Sequence, residues 1–138
     1  MNIDKVAILI KKAALEAEKV QAPLLQSYDL SVAQYKFLKY LYHAPSDSVR
    51  IVDLETYFSM THPAAIDILK VLEKKGYTRR IVNPADARSK IVSLTEKAYA
   101  LQPQLEALGD QMEDAVTQNL NAEEKQALLA LLHRMIGE

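Results

Sequence analysis

The chain has 138 residues, 49% hydrophobic and 25% charged, which suits one domain with a substantial core and excludes wholesale disorder. It has no cysteine, which excludes disulfide frameworks, thiolate metal sites and thiol redox sensing. The net charge of −1 is unevenly spread: residues 1–49 carry six Lys/Arg against five Asp/Glu, 50–90 carry eight against five, and 91–138 carry three against eight, so the middle third could steer a polyanion.

Three glycines among abundant Ala, Leu, Lys and Glu predict a mainly helical chain. Residues 3–26 form a first helix, because Ile3, Val6, Ile10, Ala13, Ala17, Val20 and Leu24 recur every three or four positions. Pro23 is placed to bend its end. Ser31 and Gln34 stand at capping-box spacing and open a second helix, with Leu30, Phe37, Leu38 and Leu41 facing the core. Ala44-Pro45-Ser46-Asp47 closes it. Val49-Arg50-Ile51 reads as a short strand, 54–58 as a brief helix and Ser59-Met60 as a turn.

Thr61 is an N-cap, and Pro63 fits the first turn of the next helix, where its missing N–H costs nothing. Ala65, Ile68, Leu69 and Leu72 continue the apolar stripe, and Gly76 can end the helix in the left-handed conformation. Two β-like runs, 78–82 and 90–94, enclose a polar turn carrying Asp86 and Arg88. Thr95 caps a long run in which Leu101, Leu105, Leu108, Met112, Ala115 and Leu120 repeat at nearly coiled-coil spacing, with a kink expected at Pro103. Asn121 and Glu124 form a capping box for a last helix, whose apolar face is Leu128, Leu131, Leu132 and Met135. The fold class expected is mainly α with a small β-hairpin wing: a winged helix-turn-helix with a helical dimerisation region drawn from both termini.

Three segments carry a resemblance to the MarR family of transcriptional regulators. Leu30-Ser31-Val32-Ala33-Gln34-Tyr35-Lys36-Phe37-Leu38 looks like the family's second helix. Leu72-Glu73-Lys74-Lys75-Gly76-Tyr77 looks like the end of its recognition helix. Asn83-Pro84-Ala85-Asp86-Ala87-Arg88-Ser89-Lys90-Ile91-Val92-Ser93-Leu94-Thr95 looks like its wing, with the Asp-x-Arg signature at Asp86 and Arg88. The resemblance implies a symmetric homodimer whose terminal helices interlock, bound to double-stranded DNA at a pseudo-palindromic operator. It further implies release by a small phenolic or other anionic effector. On this reading, 1–29 is an N-terminal dimerisation helix, 30–95 the DNA-binding domain and 96–138 the C-terminal dimerisation helices. The apolar excess of the 3–24 and 101–120 stripes supports the dimer independently.

Arg88, at a hairpin tip, suits a narrow minor groove, and Asp86 is read as its orienting partner, or that of Arg80. Arg79, Arg80 and Lys90 are read as phosphate contacts, with a solvated surface charge as the alternative for each. In the recognition helix, Thr61, His62, Asp67 and Lys70 supply the polar groups for base readout, and Pro63 and Ala64 complete its leading edge. Asp67 stands where the family often has arginine. This apolar, acid-marked face leaves a second reading open, a winged-helix interaction module docking a protein through 63–66.

Tyr35, Lys39 and His43 share one face of the second helix and, with Tyr28, could line an anion pocket; the alternative is ordinary core and surface. The three histidines lack metal-ligand spacing, and no catalytic motif or cofactor loop is present, so a regulator rather than an enzyme is expected. The amino terminus lacks a signal-peptide pattern and no apolar run approaches the roughly 18 residues of a spanning helix, so a cytoplasmic protein without membrane association is expected.

Overall fold

A computed structural model describes residues 3–138. They form helices α1 (Val6–Leu25), α2 (Val32–His43), α3 (Ile51–Phe58) and α4 (His62–Lys74), then strands β1 (Thr78–Asn83) and β2 (Asp86–Leu94), and then α5 (Glu96–Val116) and α6 (Ala122–Met135). A short 3-10 turn, Gln26–Tyr28, follows α1. The chain divides into two compact units, one spanning Leu25–Glu106 and the other combining the N-terminal residues through Leu24 with Ala107–Glu138.

The central unit holds a small core to which α2, α3, α4, β2 and the start of α5 contribute. Leu25, Phe37, Leu38, Leu54, Ala65, Leu69, Leu72 and Ala98 are essentially fully buried. Phe37 stacks on Phe58 with ring centroids 5.5 Å apart, joining α2 to the end of α3. The caps follow the sequence. Ser31 Oγ accepts from Gln34 N at 3.1 Å while Gln34 Oε1 accepts from Ser31 N at 3.1 Å, the reciprocal pair of a capping box. The Tyr42 hydroxyl donates to the Ala98 carbonyl and ties α2 to the start of α5. Burial, followed by the neighbouring Tyr77, Glu106 and Tyr99, pushes the Tyr42 pKa upward, so it remains a donor.

The other unit is organised differently. Most of α1 and every described residue of α6 except Lys125 are exposed, although both helices carry long apolar stripes. Val6 is 65% exposed and Ile136 67%. Asn121 Oδ1 accepts from Glu124 N at 2.8 Å and Glu124 Oε1 from Asn121 N at 2.9 Å, so α6 has the predicted capping box.

Two local expectations change. Val49-Arg50-Ile51 is not a strand: Arg50 makes one isolated antiparallel bridge to Ile91, and Ile51 already begins α3. Three residues offered one pairing partner cannot build a ladder, and the Asp53 carboxylate captures the chain for the helix. The wing turn is also tighter than expected, because pairing continues to Asn83 opposite Asp86 and leaves Pro84 and Ala85 at the tip. Two side chains make that possible, with Asn83 Oδ1 accepting from Ala85 N at 2.9 Å and Asp86 Oδ1 from Arg88 N at 3.0 Å.

Candidate nucleic-acid interface

The helix-turn-helix is α3 and α4. Ser59 ends α3 in the left-handed conformation at φ 52°, and Met60 N donates back to Glu55 O at 2.9 Å. Thr61 then starts α4 as expected, its Oγ1 accepting from Ala64 N at 3.3 Å, with Pro63 in the first turn. Ala65, Leu69 and Leu72 turn inward and are fully buried. Their periodicity leaves Thr61, His62, Pro63, Asp67 and Lys70 exposed, with Ala64 and Ile66 partly so.

The exit from α4 is a complete Schellman motif. Tyr77 N donates to Leu72 O at 2.9 Å and Gly76 N to Glu73 O at 3.0 Å, with Gly76 at φ +84°. Thr95 Oγ1 donates to Gly76 O at 2.6 Å, and Lys97 Nζ donates to Lys75 O at 2.6 Å. The first turn of α5 therefore clamps the junction from which the hairpin springs.

On the hairpin, Arg88 is the most exposed of the paired cations, with its side chain 93% accessible. Asp86 Oδ1 accepts from its backbone N–H and lies 3.4 Å from its Nε. Asp86 thus pairs with Arg88 rather than Arg80. Arg80 has a different partner: its Nε donates to Glu73 Oε1 at 2.6 Å and its Nη2 to Glu73 Oε2 at 3.3 Å, a two-point bond from β1 to the last turn of α4. Arg79 and Lys90 are exposed.

Arg88, Lys90, Arg80, Arg50, His62 and Ile66 share the walls of one open depression of about 380 Å³ between wing and helix pair. Arg50 enters this group only in three dimensions. The same depression holds a carboxylate, Glu55, whose Oε2 lies 3.1 Å from His62 Nδ1.

A second cavity of about 560 Å³ opens between α2 and α3, walled by Tyr35, Lys36, Lys39, Tyr40, His43, Tyr57 and Phe58 among others. It brings together three of the four expected pocket residues; Tyr28 is not on its walls. Tyr40 lies 5.0 Å from the Tyr57 ring and 6.0 Å from that of Phe58. The lysine is not a spare counter-charge: Lys39 Nζ donates to Glu106 Oε2 at 3.3 Å, and His43 Nε2 lies 3.7 Å from Glu106 Oε1. Burial would raise the Glu106 pKa, but the bond from Lys39, with smaller help from Gln102 and His43, holds it below the usual value. Among the described residues no group of three metal-ligating side chains converges, and no helix is long and apolar enough to cross a membrane.

The sequence model of the MarR family matches residues 28–89, the span from the end of the 3-10 turn into the wing. The chain is similar to a cysteine-to-serine mutant of MarR from E. coli complexed with operator DNA, at 28% identity and a TM-score of 0.82, covering 94% of this chain and 92% of that one. It is similar to the S. aureus MepR–DNA complex at 25% identity and a TM-score of 0.82, covering 98% of each chain. A probable transcriptional regulator from Pseudomonas aeruginosa shares the fold at a TM-score of 0.85 and 20% identity, covering 96% of this chain and 97% of that one.

Proposed function

We propose that the chain is a member of the MarR family and, from that premise, a homodimeric DNA-binding transcriptional regulator, a repressor released by a small aromatic effector. The observation that carries this reading is the exposed, carboxylate-oriented Arg88 on a basic wing beside a recognition helix capped by Thr61. Two relatives of matching length were solved on DNA, and residues 61–70 and the wing correspond to the parts a winged helix lays on a duplex. In this reading α4 enters the major groove, Arg88 probes the minor groove, and Arg79 and Lys90 hold phosphates. Arg80, engaged by Glu73, braces the wing rather than leading the contact.

The dimer follows from the terminal helices. Exposed apolar side chains run along α1 and α6, among them Val6, Leu9, Leu131, Met135 and Ile136. Two helices with so many exposed large apolar side chains need a partner surface, and two identical copies satisfy that most simply. The effector reading rests on the α2–α3 cavity, whose tyrosine and phenylalanine rings offer stacking to a flat aromatic molecule. The recognition helix then moves if α3 moves, because α3 packs on both.

A salt series on generic duplex DNA tests the proposal. The wild-type protein should bind at low salt and lose affinity steeply, and Arg88→Ala should weaken binding and lower the slope of log K against log salt by about one per winged domain. Absence of binding at low salt would instead favour a winged-helix interaction module docking protein through 63–66.

A further inference from the structure

One member of the basic depression is a poor choice for its local structure. Arg50 occupies the N-cap of α3, a position that favours Ser, Thr, Asp or Asn because the first helical N–H groups need an acceptor. An arginine side chain has only donors. The helix start relies on Asp53 instead, whose Oδ2 accepts from Arg50 N at 2.8 Å. A residue that breaks a local rule without a local gain marks a surface used for something else.

Its surroundings say what. The same Asp53 fixes the guanidinium, with Nη2 donating to Oδ1 at 3.0 Å and Nε to Oδ2 at 3.4 Å. Those two bonds occupy one edge of the planar fork, and Nη1 takes part in neither, so the group is oriented while donors remain for a second acceptor. The backbone is fixed as well. Val92 N donates to Val49 O at 2.8 Å and Arg50 bridges Ile91, which sets Arg50 one residue out of register from Lys90. Arg50, Lys90 and Arg88 then line one depression, three cations from two separate elements. An exposed ion pair three residues apart contributes little to stability, so folding alone does not account for the arginine.

We propose that Arg50 is a phosphate-binding residue which extends the DNA interface from the wing to the start of α3, so that Arg50, Lys90 and Arg88 follow one phosphodiester strand. The proposal rests on the DNA-binding reading above. Asp53 is then a positioning residue, presenting the guanidinium to phosphate much as Asp86 presents Arg88.

Arg50→Ser is the informative variant, because serine is a better N-cap and removes the cation without weakening the helix start. Its melting temperature should equal or exceed that of the wild type, while affinity for a generic duplex at low salt should fall on the order of tenfold. The salt slope should drop by about one per bound winged domain. Arg50→Lys, which keeps the charge but not the fork, should retain the slope and lose only part of the affinity. If wild-type protein binds DNA and Arg50→Ser binds with the same affinity and slope, Arg50 is no phosphate contact and the inference fails. Should Arg50→Ser melt early, a reduced slope in Arg50→Lys overturns it equally. If the wild type does not bind at all, it is the DNA reading that falls, and this one with it.

Discussion

Replacing Glu73 with glutamine should loosen the fold slightly and tighten DNA binding, because one carboxylate now decides what Arg80 does. Glu73 accepts from Arg80 at 2.6 Å and 3.3 Å, with the side chains 28% and 32% exposed. Exposed ion pairs are worth about 0.2–1 kcal/mol, and the two-point geometry with partial burial places this one near about 1 kcal/mol. For a chain of this size that is roughly 3–5 °C in melting temperature. Glu73→Gln keeps the shape and one acceptor but removes the charge that holds the guanidinium. Arg80, at the root of the wing, then becomes available to phosphate, while a negative charge disappears from the DNA side. The salt slope should steepen by about one per winged domain, with affinity on the order of tenfold higher at low salt.

Fluorescence anisotropy on a labelled generic duplex across a salt series, beside thermal melts, reads both effects. The decisive comparison adds Arg80→Gln in each background. Arg80→Gln should leave the slope of wild-type protein nearly unchanged and cancel the gain in Glu73→Gln. Equal slope losses in both backgrounds would mean that Arg80 already holds phosphate, and the assignment of Arg80 as a brace would be wrong.

Two further outcomes are expected. Asp67 is exposed on the face of α4 proposed to meet DNA; Asp67→Asn should raise affinity for generic duplex several-fold at low salt, and an unchanged affinity at every salt concentration would place Asp67 outside the contact. Glu106 has its folded-state pKa held below the reference value of 4.5, so it contributes stability at neutral pH that is lost as pH falls from about that value through the folded pKa. Glu106→Gln should flatten this acid limb in pH-dependent melts. By freeing Lys39, it should also bind salicylate more tightly, measured by quenching of tyrosine fluorescence. A variant with the acid limb and salicylate affinity of the wild type would show that Glu106 does not govern Lys39.

What was legible in the chain was local. The Ser31–Gln34 and Asn121–Glu124 boxes, the Thr61 cap and the Gly76 stop each lie within a few residues of the groups they satisfy, and the structure has all four. The wing was legible because its turn chemistry is written in consecutive residues, although Asn83 and Asp86 tighten it beyond expectation. Pairings across the fold were not. Glu73 lies seven residues from Arg80, and Glu106 lies 67 from Lys39, so neither bond has a sequence period to announce it. Val49–Ile51 failed for a related reason: whether such a triplet becomes a strand depends on how many partners the wing offers it, and the wing offers one bridge.

The composition of α4 makes sense only beside those cross-fold pairings. Asp67 on the helix face and Glu55 against His62 place negative charge where a duplex would approach. Each carboxylate opposes phosphate, and neither α4 nor α3 carries enough cations on that face to offset both. Arg88 and Lys90 on the wing, with Arg50 at the start of α3, surround that face with positive charge held at fixed points by Asp86 and Asp53. A protein built this way draws its affinity from the rim and lets the centre discriminate. On the DNA reading, sequences that bring phosphates onto the rim without pressing their backbone against Asp67 and Glu55 are favoured, which is selection by groove width and bend more than by base-edge hydrogen bonds. Few donors on α4 are then no defect in a reader of DNA, because its acids reject the wrong shape more strongly than a neutral helix could.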